Sequence, residues 1–382
     1  MLCLPDIHRG RLPADRQCTD QGDKGLFKVA ERIAAMSKEI KWGVIGSGGI
    51  ARRRTIPEGI LKAKNAELSL VFDINEQVNA EVAKEFGAMQ ANDIEAVLDA
   101  NIDAVYIATP ACFHHDQVRT CANAGKHILC EKPLGMMVAE TEEMIETCEK
   151  MGSKLGCAFM MRFVAQHAEA LRLINDGKLG KPVYARAQLS CWYPPIEGAW
   201  RQEIATGGGG SLIDMGGHCI DLLEMFFGRI SRVSCFINNT VHDYKSEDSA
   251  AALLFFDNGA LATVDTFFCI PDKSSRNVLE LYGSRGSILA KGTIGQGPAG
   301  EMIAFLERED EGYDARQARS EDQGIVVAPE PVNTYQAEIE EFSQAIIDNR
   351  DPIIGADLGL QSQKVLAACY ESARSGRAIE VA

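Results

Sequence analysis

Residues Lys41 to Ala51, Lys-Trp-Gly-Val-Ile-Gly-Ser-Gly-Gly-Ile-Ala, leave this chain little choice of fold. A short apolar run, Trp42 to Ile45, ends in Gly46, Gly48 and Ala51 at the spacing Gly-x-Gly-x-x-Ala. That pattern turns a strand into a helix around a dinucleotide. Gly46 allows a tight turn, Gly48 lets backbone approach a pyrophosphate, and a small residue at 51 lets the new helix pack on the sheet. The helix N-terminus then offers unpaired N–H groups and partial positive charge to the phosphates. Glycine-rich turns are common, so the surrounding sequence has to decide this one.

It does so in the next stretch. Glu67 to Phe72 reads as a second strand ending in Asp73, 22 residues beyond Ala51. The acid that holds an adenosine ribose is expected about 20 residues on. A carboxylate there accepts hydrogen bonds from both ribose hydroxyls and repels a 2′-phosphate, so NAD is expected over NADP. Ile74 and Asn75 add no cation. Arg52, Arg53 and Arg54, in a helix pattern from Ile50 to Lys64, are expected to be solvated, with one able to reach a phosphate. Helix patterns at 76–86, 93–99, 114–125 and 139–151 then alternate with apolar strands at 103–108, 127–130 and 154–158. Such alternation predicts a parallel, doubly wound sheet with right-handed crossovers. Asp73, Thr109 and Lys132 lie at strand ends and should gather at one sheet edge.

From Arg162 the texture changes. A helix at 165–176 leads to a strand at 183–190 and an aromatic, proline-rich loop with Trp192, Tyr193 and Trp200. A glycine run, 207–210, precedes Asp214 and His218 on a helix running to Phe227. Strand patterns at 233–238, 250–256, 260–268, 278–282 and 287–291 are punctuated by Asp257-Asn258-Gly259 and Gly283-Ser284-Arg285-Gly286. These turns predict a mostly antiparallel sheet. Residues 292–331 read as irregular and acidic, and helices at 334–348 and 357–375 close the chain. The expected fold class is α/β: a doubly wound parallel sheet over 39–160, then an α+β domain with an open, mostly antiparallel sheet over 161–382. Residues 1–38, without a periodic apolar face, are expected to be a disordered tail or an extension.

Composition excludes several functions. With 39 basic against 54 acidic residues the net charge is −15, which argues against nucleic acid or an anionic membrane as partner. No apolar stretch approaches the roughly 20 residues that span a bilayer. The 12 cysteines are scattered, with no Cys-x-x-Cys pair. They fit reduced, buried thiols in a cytoplasmic protein.

Asp214 and His218, four apart, share a helix face. A carboxylate beside an imidazole fixes its tautomer and raises its basicity, which suits a general base. Lys132 would polarise a reacting oxygen or stabilise an alkoxide. Each pattern also has an ordinary structural reading: a packed or capping pair, a surface lysine. His114-His115-Asp116 reads as a helix start more readily than as a metal site, and no metal is expected. Trp192, Tyr193 and Trp200 fit stacking on a sugar and packing equally well.

The ensemble resembles the Gfo/Idh/MocA oxidoreductases. The resemblance rests on Gly46-x-Gly48-x-x-Ala51, Asp73, Ala108-Thr109-Pro110 with His114, and Gly125-Lys126-His127-Ile-Leu-Cys-Glu131-Lys132-Pro133. Arg162-Phe163, the run from Gly208 through Asp214 and His218 to Asp221, and Glu371-Ser-Ala-Arg-Ser-Gly376-Arg continue it, so that it covers about residues 40 to 382. It implies a Rossmann domain and a second, oligomer-forming domain, with a homodimer or homotetramer as the assembly. It carries cofactor contacts onto Gly46, Ser47, Gly48, Gly49, Ile50, Ala51, Asp73, Ala108, Thr109, Pro110, His114, Glu131 and Lys132. The catalytic set becomes Lys132, Asp214 and His218, with Arg162 and Trp200 added for substrate. Glu131 is expected to orient Lys132 or the nicotinamide end. The implied reaction is NAD-dependent oxidation or reduction of one hydroxyl or ketone of a sugar, inositol or polyol. Two alternatives stand beside it: glycoside cleavage with recycled NAD, and a non-catalytic dinucleotide sensor.

Overall fold

The computed structural model describes residues 39–297, 299–307, 315 and 323–382; the extension read at 1–38 lies outside them. Six short apolar runs form the first sheet: β1 (Ile40–Ile45), β2 (Ala66–Phe72), β3 (Met89–Gln90), β4 (Ala104–Ile107), β5 (His127–Glu131) and β6 (Leu155–Ala158). All pair in parallel, in the order β3-β2-β1-β4-β5-β6. This is the doubly wound order, with its switch point between β1 and β4. β4 is buried along its whole length, as a parallel strand covered on both faces must be.

The helices follow local chemistry. Helix Glu76–Phe86 starts where the Asn75 side chain accepts from Val78 N–H and stops at Gly87 in the left-handed conformation. The segment after the glycine turn departs from expectation. It is helical only over Ala51–Ile60 and is wound wider than an α-helix, with Leu61 N–H bonded five residues back to Ile56 C=O at 3.0 Å. Pro57 lies inside it, and a proline has no N–H to give and displaces the carbonyl four residues back.

The second sheet has nine strands: β7 (Pro182–Ser190), β8 (Ile230–Asn238), β9 (Ser249–Phe256), β10 (Leu261–Phe267), β11 (Val278–Gly283), β12 (Gly286–Lys291), β13 (Glu301–Leu306), β14 (Ile325–Val326) and β15 (Ile379–Glu380). Their order is β14-β13-β12-β11-β7-β10-β9-β8-β15, antiparallel except where β7 and β10 run together. Burial alternates along β10, so one face packs inward, under helices Gly217–Phe227 and Ala356–Ser375, and the other stays open. The stretch read as irregular, 292–331, contributes β13 and β14. Met302 and Ala304 supply the inward face of β13, within the apolar run Met302 to Leu306.

The closing helices serve both sheets. In Thr334–Ile347, Phe342 packs on Trp42 with ring centroids 5.7 Å apart, and Trp42 Nε1 donates to Ser343 Oγ at 3.1 Å. A stretch more than 290 residues downstream in the chain thereby covers β1.

Candidate active site

At the carboxyl ends of β1, β4 and β5 lies a cleft of about 510 Å³, bounded on its far side by β7 and by the loop that follows it. Its wall begins at the glycine turn. Gly46 has φ +80°, and a Cβ there would stand 2.8 Å from Ala108 and Thr109, so only glycine lets β1 and β4 end this close together. Gly49 and Ile50 line the cleft, Ala51 is buried beneath, and the Ser47 hydroxyl is buried without a hydrogen-bond partner among the described residues. Asp73 reaches back across the turn: its Oδ2 accepts from Gly48 N–H at 2.9 Å and its Oδ1 from Asn75 N–H at 3.0 Å.

Ala108 and Thr109 form the next part of the wall. Pro110 starts the short helical turn Ala111–Phe113. His114 does not face the cleft. Its ring is buried between two backbone carbonyls, Nδ1 2.9 Å from Pro133 O and Nε2 2.9 Å from Thr109 O. It ties the β4 loop to the end of β5, and burial lowers its pKa. His115 pairs with Glu143 at 2.9 Å, and no cluster of metal-binding side chains converges among the described residues.

At the floor, β5 delivers Glu131 and Lys132 side by side. Tyr106 donates to Glu131 Oε1 at 2.5 Å, while Thr55 donates to Tyr106 at 3.0 Å. Burial pushes the Glu131 carboxyl up, against the opposing pull of Lys132 and Tyr106. Lys132 Nζ donates to the backbone O and Oδ1 of Asp214, at 2.6 and 2.8 Å. Asp214 sits in a widened helical turn, Leu212–Gly216, entered through the glycine run. A Cβ at Gly210 would overlap the Glu247 carbonyl, which is why that run brings the helix start so deep.

The second partner of Asp214 was not anticipated. Arg201 Nε donates to Asp214 Oδ1 at 3.0 Å, and its guanidinium lies over the Trp200 ring, 4.2 Å from the centroid. Burial would push the Asp214 carboxyl up, but Arg201 and Lys132 together hold it well below the usual carboxylate range. The expected bond from Asp214 to His218 is therefore absent. Two cations outcompete a neutral imidazole for one carboxylate. His218 lines the cleft, its Nδ1 is buried without a partner among the described residues, and Phe159 meets the ring edge-on at 6.0 Å. Burial and then the Lys132 cation lower its pKa to about 3, with Asp214 pulling the other way.

Residues 40–159 match a model described as an oxidoreductase family with an NAD-binding Rossmann fold, and residues 167–289 match the GFO/IDH/MocA C-terminal domain. The chain belongs to the Gfo/Idh/MocA oxidoreductase family. It is 28% identical over 345 residues to 1,5-anhydro-D-fructose reductase of Ensifer adhaerens, covering 89% of this chain and 98% of that protein. It is 29% identical over 343 residues to D-xylose 1-dehydrogenase (NADP(+)) 2 of Haloferax volcanii, covering 89% and 99%. The solved aldose-aldose oxidoreductase of Caulobacter crescentus, complexed with glycerol, is 25% identical with a TM-score of 0.79, covering 90% of this chain and 100% of that one.

For a Gfo/Idh/MocA oxidoreductase, Arg162 joins His114 as an inherited assignment that needs correction. Arg162 does not reach the cleft: its Nε grips both carboxylate oxygens of buried Asp221 at 2.9 Å, tying the turn before helix Ala165–Asn175 to helix Gly217–Phe227. Trp200 does line the cleft, whereas Trp192 and Tyr193 pack on His242 and Phe268. Arg201 and Tyr335 are among the wall residues that sequence reasoning missed. The adjacency of Arg201 to Trp200 was the available signal for the first. Nothing local marked the second, which arrives on helix Thr334–Ile347.

Proposed function

We propose that the chain is an NAD-dependent dehydrogenase or reductase of a sugar, inositol or related polyol, acting on one hydroxyl or ketone. The observation that carries this reading is the convergence of Lys132, Asp214, Arg201 and His218 in the same cleft as Gly49, Ile50 and Thr109. The turn suits a dinucleotide: Gly49 has φ +48° and open space where a Cβ would stand, and the Ser47 hydroxyl lacks a partner. When bound, the nicotinamide supplies the hydride acceptor or donor. Lys132, fixed by Asp214, polarises the reacting oxygen. The neutral His218 ring takes the hydroxyl proton in oxidation and returns it in reduction.

Asp73 supports NAD over NADP, because its carboxylate stands at the end of β2 where a 2′-phosphate would lie. Ile74 beside it is 91% exposed and carries no charge. Arg52 is paired with Glu81 and Glu85, and Arg54 with Glu58. The division of labour follows the two sheets, with 39–160 serving the dinucleotide and 161–382 the substrate. The open sheet face, which exposes Phe236, Leu253 and Leu261, fits a second copy of the chain, giving a homodimer or homotetramer. The net charge supports small-molecule rather than nucleic-acid partners.

The test is a panel of aldoses, inositols and polyols with NAD or NADP, read as cofactor absorbance. Turnover with NAD on one of them is expected. Glycoside cleavage without NADH accumulation would favour a recycled cofactor, and binding of NAD without turnover of any of them would favour a sensor.

A further inference from the structure

The segment Gly292–Gln296 brings backbone of the second sheet to the wall of the cleft, a contact that the reaction does not require. It leaves β12, the third strand in from the β14 edge, with Gly292 N–H bonded to the carbonyls of Arg276 and Asn277, each at 3.0 Å. Ile294, 1% exposed, plugs it into the core of the second sheet. Beyond it, buried Gln166 clamps Gly300, accepting from its N–H at 3.0 Å and donating to its C=O at 2.6 Å. Between these anchors, Gly295 and Gln296 form part of the cleft wall. There Arg54 Nη2, from the helix that begins at the glycine turn, donates to Gln296 O at 2.5 Å. The same guanidinium lies 5.0 Å from the centroid of the Tyr335 ring and 3.0 Å from Glu58. A hydrogen bond from a charged donor is thus the link between the cofactor side of the cleft and this segment of the substrate side.

We propose that Gly292–Gln296 is a strap, latched by Arg54, that slows release of the dinucleotide. The inference rests on the proposed cofactor reading. The strap is anchored at Gly292, Ile294 and, through Gln166, Gly300, so the latch to Arg54 is its contact with the opposite wall. Breaking that contact lets Gln296 swing out while the glycine turn, Asp73 and the catalytic cluster keep their places. Arg54 is on this account a positioning residue, acting on the cofactor through the strap.

The experiment measures NADH release by stopped-flow fluorescence, displacing bound NADH with excess NAD. Wild type is compared with Arg54→Met, which keeps the stem over Tyr335 but removes the donor, and with Glu58→Gln, which removes the other partner of Arg54. Arg54→Met is expected to release NADH roughly tenfold faster, with association little changed, because a charge-assisted bond is lost only from the closed state. Glu58→Gln is expected to release at the wild-type rate. Wild-type release from Arg54→Met would overturn the strap, as would acceleration by Glu58→Gln to the same extent, since Arg54 would then act within its own helix. Failure of wild type to bind NADH or NADPH would instead sink the cofactor reading, and the strap with it.

Discussion

The two ends of the cleft are built from different materials. At the cofactor end the contacts run through the backbone of the glycine turn: Gly46 stands against the Ala108 and Thr109 backbone, and Gly48 N–H donates to Asp73 Oδ2. At the substrate end they are side-chain charges: Lys132 reaches Asp214 across 82 residues, and Arg201 reaches it from the short helical turn Trp200–Gln202. Backbone geometry dictates residue type at fixed spacing, so the first end leaves a signature. A charge network asks only that its members meet, so the second end offers candidate residues without saying which of them pair. Mutations should separate the two ends as cleanly.

The largest effect is expected for Lys132→Met. It removes the cation nearest the reacting oxygen and leaves Asp214 to Arg201 alone. A fall in kcat of about 10³-fold is expected, the scale for losing an oxyanion donor. Cofactor affinity, measured by fluorescence titration, should stay within a few-fold. Equal losses in both would show that the two ends are not separable.

Arg162→Leu should give the opposite pattern. It strands a buried carboxylate, Asp221, whose pKa burial already raises to about 6 against the pull of Arg162. Stability to urea should drop by about 3 kcal/mol. KM for the best substrate should hardly move, and a large rise would restore Arg162 to the substrate site.

The Arg162 case shows why legibility stopped where it did. The parallel, doubly wound sheet, the glycine turn and the place of Asp73 beside it were readable because each follows from spacing or periodicity. Lys132 and His218 were found in the cleft, as the resemblance implied. Arg162 and His114 were misplaced because a motif records that a residue is needed without saying which way it points. Asp214 was placed in the cleft but given the wrong partner, because i, i+4 spacing suggests a pair and cannot count the cations arriving from elsewhere. The helix that carries Tyr335 was legible, but its place beside the cleft and over β1 was not, because the elements it joins lie far from it in sequence.

His218→Ala tests the substrate end without disturbing its charge pairs, since no ion pair among the described residues involves the ring. A loss in kcat of about 10²-fold is expected, the lower range for a general acid–base group. Combined with Lys132→Met, the loss should fall well short of the product, because the two act on the same oxygen. At the cofactor end, Asp73→Ser should narrow the NAD preference by about tenfold in kcat/KM. Unchanged preference would shift attention to Arg53, which lines the cleft beside the glycine turn.

The smallest expected effect is the absence of one, and it bears on how dry the substrate end is. With a pKa near 3, the His218 ring is neutral in the folded protein where an ordinary histidine, near 6.5, would be taking up a proton. The folded chain then binds fewer protons at this site than the unfolded chain does. The contribution of His218 to stability is complete above pH 6.5 and is lost as pH falls from there toward 3. Within the folded state nothing should happen over most of that range. The His218 ring-proton resonance, assigned by its loss in His218→Asn, should hold its neutral position from pH 8 down to about 5. A midpoint near 6.5 would mean that water reaches the ring and that Lys132 does not bear on it. Asp214 would then be available to support His218 as a conventional base, and the contrast between the two ends of the cleft would lose its sharpest feature.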